Sequence, residues 1–119
     1  MIDRSDVEAM RKLLAAMCRK PEYRAHAPSL GIDRQRWRPF EVREQATLSH
    51  FTDEGAWECT AECLESGSPI RYKGPCAEFN DHAYVLIDQT SGLEDIYIKI
   101  ALIDGIRKVI GISFHYVSY

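Results

Sequence analysis

The sequence predicts an α+β fold in which two helices from the amino-terminal half pack on one face of a three- to four-stranded antiparallel sheet. Apolar residues recur at helical spacing after Ser5 and again after Thr52, whereas beyond Ser68 apolar and polar residues alternate as they do in strands. The chain has 119 residues, of which 45% are hydrophobic and 28% are charged. This size and composition predict a single globular domain, residues 1–119.

Capping residues define the expected ends of both helices. A capping-box pattern that begins at Ser5 starts the first helix, and Pro21 ends it. Thr52 is the expected N-cap of the second helix, and Gly67 lies where a glycine commonly follows a helix end. The apolar sides expected to pack on the sheet are, in the first helix, Val7, Met10, Leu13, Leu14, Met17 and Cys18, and in the second, Ala56, Trp57, Thr60, Ala61 and Leu64.

The carboxy-terminal half is expected to form the sheet. Short runs of alternating or β-branched residues, separated by glycine, proline and aspartate, are typical of strands joined by turns. The expected strands cover residues 69–73, 83–88, 94–102 and 108–117.

The last two strands form a predicted hairpin whose register depends on its loop. A two-residue Asp-Gly turn after Ile103 pairs Ile98 with Gly111, whereas a three-residue loop beginning at Ile103 pairs Ile98 with Ile110. A one-residue slip moves every side chain to the other face, so we expect the three-residue loop, which collects the isoleucines on one face. The side chains then predicted to be buried against the helices are Ile96, Ile98, Ile100, Ile110, Ile112 and Phe114.

Polar side chains occupy the opposite face of this hairpin. They are Tyr97, Lys99, Ser113 and His115, and a neighbouring strand is expected to add Arg71 and Lys73. Cleavage of RNA without metal needs a base for the 2′-hydroxyl proton, an acid for the departing 5′-oxygen and cations that hold the phosphate. His115 can carry a proton in either direction near neutral pH, and Tyr97 is a second candidate proton carrier. The alternative is a plain binding surface, because exposed polar faces are common in antiparallel sheets.

The hairpin also resembles a known family. The run from Asp95 to Ile100 and the run from Val109 to His115 are similar to the carboxy-terminal hairpin of the MqsR toxins, small bacterial ribonucleases with a RelE-like fold. The resemblance implies that Tyr97 matches the family's active-site tyrosine. It also implies that His115 stands where the family has a lysine. It further implies a type II toxin that cleaves RNA and binds a cognate antitoxin protein.

The spacing of the cysteines predicts no bound metal, and we expect no cofactor. A chain whose first residues are too polar for a signal peptide is expected to be cytoplasmic, where thiols stay reduced. Cys59 and Cys63 are four apart and share one side of the second helix, so they supply half of a zinc site, but no further ligand pair completes it in the sequence. Buried free thiols are therefore expected for the four cysteines, Cys18, Cys59, Cys63 and Cys76.

The distribution of charge along the chain suggests hypotheses that compete with the ribonuclease. The formal net charge of −3 argues against a surface coated for non-specific nucleic-acid binding, and no apolar run is long enough for a membrane span. Residues 44–69 hold six acidic residues and no lysine or arginine. The second helix, with Glu58, Glu62 and Glu65 facing water, therefore serves either as a docking surface of a non-catalytic interaction domain or only as a solvated face. A cluster of basic residues surrounds Trp37; its members are Arg34, Arg36, Arg38 and Arg43. These arginines either contact a phosphate backbone or lie on an exposed loop whose tryptophan packs in the core.

Overall fold

The computed structural model describes residues 2–25, 36–75 and 82–117 of the chain. Within them it has an α+β structure with two α-helices, α1 (Val7–Arg19) and α2 (Asp53–Ser66). Short 3₁₀ turns cover Pro21–Tyr23 and Pro39–Glu41. The strands are β1 (Arg24–Ala25), β2 (Arg36–Trp37), β3 (Ile70–Pro75), β4 (His82–Asp88), β5 (Ile96–Ile103) and β6 (Lys108–Tyr116).

The helix ends agree with the prediction except at one cap. The Thr52 hydroxyl accepts a hydrogen bond from the Gly55 amide at 2.9 Å, and Gly67 ends α2 in the left-handed region with φ of 85°. The predicted cap at Ser5 is wrong: the Asp6 carboxylate caps α1 by accepting from the Ala9 amide at 3.2 Å. Ser5 is instead engaged by the Asp3 carboxylate, which accepts from both its amide and its hydroxyl.

The sheet is larger than predicted and mixed. Strands β3 to β6 form the expected antiparallel meander, but β1 and β2 add to it by pairing in parallel with β6. The expectation of a purely antiparallel sheet with three to four strands is therefore wrong in this detail. The two added strands have two residues each, which is too short for any alternation of apolar and polar residues to show in the sequence.

Both helices pack on one face of this sheet. The predicted apolar sides of α1 and α2 join the sheet in one cluster, with Val7 and Leu13 at its margin. From the sheet this cluster includes Tyr84, Leu86, Ile96, Ile98, Ile100, Leu102, Val109 and Phe114. At 13 and 14 residues, neither described α-helix has the length and apolar character that crossing a bilayer demands.

The predicted hairpin register is wrong. The loop between β5 and β6 spans residues 104–107, so that Ile103 pairs with Lys108 and Ile98 pairs with Phe114 rather than Ile110. A bulge also interrupts the ladder, because Ile112 has no partner between two consecutive pairs. Ile96, Ile98, Ile100 and Phe114 are fully buried on the helix side as predicted.

The other two predicted core residues lie elsewhere. Ile110 is buried beside Ala25 and Ile103, in a cluster separate from the helix-side core, and Ile112 is only half-buried. The four-residue loop explains the difference, because it pairs Ile110 with Ala101 instead of Ile98, and this odd shift moves Ile110 to the other face. Gly111 then faces the helices, where an added Cβ would lie 2.6 Å from the Trp37 ring. The helix side thus accommodates a glycine at this point of β6 and excludes a larger side chain.

Candidate functional site

The face of the sheet opposite the helices, called here the second face, carries a continuous row of side chains. Pairing aligns Arg71 with Val85, Val85 with Lys99, Lys99 with Ser113 and Ser113 with Arg36. Directly paired residues point to the same face of a sheet. The row therefore contains three residues predicted for the site, Arg71, Lys99 and Ser113. It also contains Arg36, which was not predicted for the site. Arg71 and Arg36 are exposed at its two ends, and Lys99 is half-buried between them. Val85 and the predicted phosphate-binding residue Ser113 are buried.

The neighbouring row holds the two candidate proton carriers. Tyr97 pairs directly with His115, and their rings are stacked with centroids 5.3 Å apart and planes inclined by 19°. Both side chains are half-buried. Lys99 lies diagonally across the ladder from His115, and such neighbours are about 7–8 Å apart, a distance that a lysine side chain spans. The structure thus brings Tyr97, Lys99 and His115 together as the sequence predicted.

Two predicted phosphate-binding residues lie farther from His115. Lys73 is the unpaired residue at a bulge of the edge strand β3, on the far side of the row from His115. Arg71 is on the same edge strand, which three strand spacings of about 4.8 Å separate from β6. One phosphate at His115 is therefore out of reach of both, and these cations suit more distant phosphates of an extended polyanion.

A cleft of about 300 Å³ adjoins His115 and is lined by Arg36, Arg38, Glu41 and His115. The 3₁₀ turn after Arg38 brings Glu41 back toward it, with the Glu41 amide donating to the Arg38 carbonyl at 3.0 Å. The Arg38 guanidinium lies 3.8 Å from the Glu41 carboxylate. The cleft therefore combines two guanidinium groups, one carboxylate and one imidazole, which are the groups that phosphate binding and proton transfer require.

Trp37 positions the two arginines. Its ring packs 4.7 Å from that of Trp57 and 5.4 Å from that of Phe114, and its indole nitrogen donates to Asp53 at 2.8 Å. Because side chains alternate along an extended chain, a core-packed Trp37 directs its two neighbours to the second face. The tryptophan packs in the core, as one interpretation of the basic cluster expected, and Arg36 and Arg38 line the cleft. The other interpretation, contact with a phosphate backbone, stays a prediction.

A backbone hydrogen bond fixes the tautomer of His115. Its Nδ1 lies 2.7 Å from the carbonyl oxygen of Tyr116. A carbonyl only accepts, so Nδ1 carries the proton in this contact and, in the neutral ring, Nε2 holds the lone pair. The ring is thereby oriented as a base through Nε2.

The three described cysteines, Cys18, Cys59 and Cys63, are free and buried as predicted. Cys76 and Arg34 lie outside the described residues. Burial raises the pKa of Cys18 to about 12, although the charges of Arg24 and Arg19 oppose this.

On the helix side, Cys59 and Cys63 have a neighbour that the sequence did not reveal. Asp88 lies with them in a group whose candidate ligand atoms are all within 4.8 Å of one another. Burial raises the pKa of Asp88, but hydrogen bonds from Thr90, Ser91 and the two thiols outweigh it and leave the pKa below its usual value. The hydrogen bond to Cys63, followed by burial, raises the pKa of Cys59.

Sequence reasoning missed Glu41 and did not assign Arg36 and Arg38 to the site. The arginines were visible as a basic cluster, but their proximity to His115 depends on the parallel pairing of β2 with β6. Nothing in the sequence distinguishes Glu41 from the other acidic residues of the chain.

Comparison of the chain with protein-family models, with curated proteins and with solved structures finds no match.

Proposed function

We propose that the chain is the toxin of a type II toxin–antitoxin system, a metal-independent endoribonuclease with a RelE-like arrangement of sheet and helices. The observation that carries the proposal is the His115 cleft: an imidazole with a lone pair on Nε2 stacks on Tyr97 and shares a cleft with two arginines and Glu41. These groups supply the proton transfer and charge stabilisation that RNA cleavage needs.

The cleavage chemistry follows from the placement of these groups. The 2′-hydroxyl of RNA attacks the adjacent phosphorus while Nε2 of His115 takes its proton. Tyr97 gives a proton to the departing 5′-oxygen, and the product is a 2′,3′-cyclic phosphate. Arg36, Arg38 and Lys99 stabilise the charge on the pentacoordinate phosphorus. Glu41 holds the Arg38 guanidinium toward the cleft.

The remaining cations of the second face extend the same surface. Arg71 is exposed on the edge strand, in the same row as Lys99 and Arg36. An RNA strand that runs between the exposed Arg71 and Arg36 would place one phosphate at His115. Val85 and Ser113, which are buried in the row, would not contact it. Contacts from Arg71 and Lys73 to flanking phosphates then contribute affinity and positioning rather than chemistry. An antitoxin that covers this face would block RNA.

The test compares two histidines. His115→Ala removes the base, whereas His50→Ala removes an exposed histidine outside the cleft and serves as the matched control. Purified wild-type and His50→Ala chains should cleave RNA in the presence of EDTA, and His115→Ala should cleave about 10²–10⁴-fold more slowly. Induced expression should stop growth for the first two and not for the third.

Absence of RNA cleavage would favour the competing hypothesis. A chain that cleaves no RNA, with or without ribosomes, and whose expression is harmless would support the non-catalytic interaction domain instead. The exposed carboxylates of Glu58 and Glu62 on α2 would then be its docking surface, since Glu65 already pairs with Arg19 at 2.8 Å.

A further inference from the structure

Two cysteines and an aspartate converge between α2 and the end of β4. Cys59 and Cys63 stand one helical turn apart, and Asp88 ends the strand that faces them. The Cys59 Sγ lies 3.2 Å from Asp88 Oδ2, and the ligand atoms of all three residues lie within 4.8 Å of one another. None of the three is more than 5% exposed.

The carboxylate in this group is buried without a cationic partner. Asp88 is 1% exposed, and within the described ranges 2–25, 36–75 and 82–117 it forms no salt bridge. Buried charges in proteins are normally paired with an opposite charge or bound to a metal ion. This is a second indication that the group binds a cation, independent of the spacing of the sulfur atoms.

Hydrogen bonds also orient the carboxylate toward the sulfur atoms. Oδ1 accepts from the Thr90 amide at 3.0 Å, the Thr90 hydroxyl at 3.1 Å and the Ser91 amide at 3.3 Å. Oδ2 is left facing Cys59. Metal-binding carboxylates are commonly held in this way by donors behind them, which fix the direction of the binding oxygen.

A route from solvent reaches the group. A cleft of about 550 Å³ opens onto Cys59 and carries Glu44, Glu58 and Glu62 on its lining. Acidic side chains around a cleft raise the local concentration of cations. Thr90 and Ser91, which hold Asp88 in place, line the same cleft.

We propose that Cys59, Cys63 and Asp88 bind one Zn²⁺ ion. Binding forms two Zn–S bonds and one Zn–O bond, and it releases the two thiol protons to solvent. Tetrahedral zinc with Zn–S near 2.3 Å and Zn–O near 2.0 Å separates a sulfur from the oxygen by roughly 3.5 Å, close to the present contact. A water molecule from the acidic cleft takes the fourth position. Thiolates favour zinc over calcium or magnesium, which prefer sets of oxygen ligands.

Zinc content tests the site directly. Reduced full-length protein is incubated with excess Zn²⁺, dialysed, and analysed for zinc per chain. The wild type should retain one ion, and so should Cys18→Ser, the matched control for a buried cysteine outside the group. Cys59→Ser and Cys63→Ser should retain less than a tenth as much. Titration of the wild type with Zn²⁺ in weak buffer should release two protons per ion.

A measurement on the wild type alone covers the case in which a serine variant fails to fold. Cd²⁺ bound to thiolates has an ultraviolet charge-transfer band that requires sulfur ligands, so this band should appear when Cd²⁺ is added to the wild type. A wild type that shows no such band and retains no zinc overturns the proposal. So does zinc that persists in both folded serine variants but is lost when Glu58→Gln and Glu62→Gln are combined, because the acidic rim would then be the binding site.

Discussion

The two faces of β5 and β6 share one backbone ladder but differ in burial and chemistry. Ile98 and Phe114 form a direct pair that is fully buried against the helices, whereas the adjacent pair, Tyr97 and His115, is half-buried on the second face. One residue of translation along the strand thus separates a core position from a candidate proton carrier. Rigid core pairs hold the backbone on which the candidate site is built, so substitutions on the two faces should affect different measurements.

The faces differ in electrostatics as well. The second face carries Arg36, Arg38 and Lys99 near a histidine, a setting that favours a polyanion. The helix side places a carboxylate and two thiols beneath an acidic cleft, a setting that favours a cation. One sheet therefore separates two proposed sites for ligands of opposite charge.

The largest effect is expected for Tyr97→Phe, which keeps the ring that stacks on His115 and removes only the hydroxyl. If Tyr97 is the general acid, single-turnover RNA cleavage should fall by about 10²–10⁴-fold, with RNA affinity unchanged within a few-fold. Glu41→Gln, which weakens the contact to Arg38, should reduce the rate less. The reverse order would identify Glu41 as the proton donor and remove Tyr97 from that role.

Much of this arrangement was predictable because local signals determine it. The caps at Thr52 and Gly67, the buried side of α2 and the four main strands all follow from periodicity and from residues with strong positional preferences. Tyr97, Lys99 and His115 share one face as predicted although the register was wrong. The longer loop and the bulge together move the partner of Ile98 by four residues, and an even shift preserves the face.

The rest depended on long-range packing. Residues from Ile110 to Tyr116 alternate without interruption, so the sequence showed no sign of the bulge at Ile112. Trp37, which comes from a distant part of the chain, packs against β6 beside this bulge and leaves no room for a Cβ at Gly111. The positions of Arg36 at the site and of Asp88 beside Cys59 likewise depend on tertiary contacts that no local sequence pattern encodes.

On the helix side, Ile98→Ala should reduce stability without altering the site's chemistry. The side chain is fully buried, and removal of such a side chain to alanine costs about 2–5 kcal/mol in the free energy of unfolding. Urea unfolding monitored by circular dichroism measures this loss. Tyr97→Phe, one residue away, should stay within about 0.5 kcal/mol of the wild type. Equal losses for the two variants would contradict the assignment of faces.

Gly111→Ala should destabilise the contact between β6 and Trp37. The added Cβ would approach the indole ring to 2.6 Å, and that ring is held by Trp57 and Asp53, so relief requires movement of the core. Overpacking of this kind costs about 1–3 kcal/mol in urea unfolding. Gly105→Ala is the matched control, because a Cβ there meets nothing within 4 Å, and it should cause no comparable loss.

Alkaline pH should destabilise the helix side through Cys18. Burial raises the pKa of this thiol from 9.0 to about 12, so the unfolded chain releases the proton before the folded chain does. The stability that this group contributes is fully present below pH 9 and is lost progressively up to pH 12, with a loss of roughly 1.4 kcal/mol per pH unit within that window. The free energy of unfolding should therefore fall more steeply between pH 9 and 10 for the wild type than for Cys18→Ala. Parallel pH profiles would contradict this.

The smallest effect is expected for Lys99→Ala, which tests whether the second face binds the RNA backbone. Lys99 lies in the row between Arg71 and Arg36, so its removal should weaken RNA binding by a few-fold at moderate salt while the fold is retained. A lost phosphate contact also reduces the slope of log affinity against log salt by about one. Lys12→Ala removes an exposed lysine from α1, on the other side of the sheet, and should change neither affinity nor slope. If both lysine variants lowered the slope equally, RNA would be held by the overall charge of the chain, and the distinction between the two faces would not extend to RNA binding.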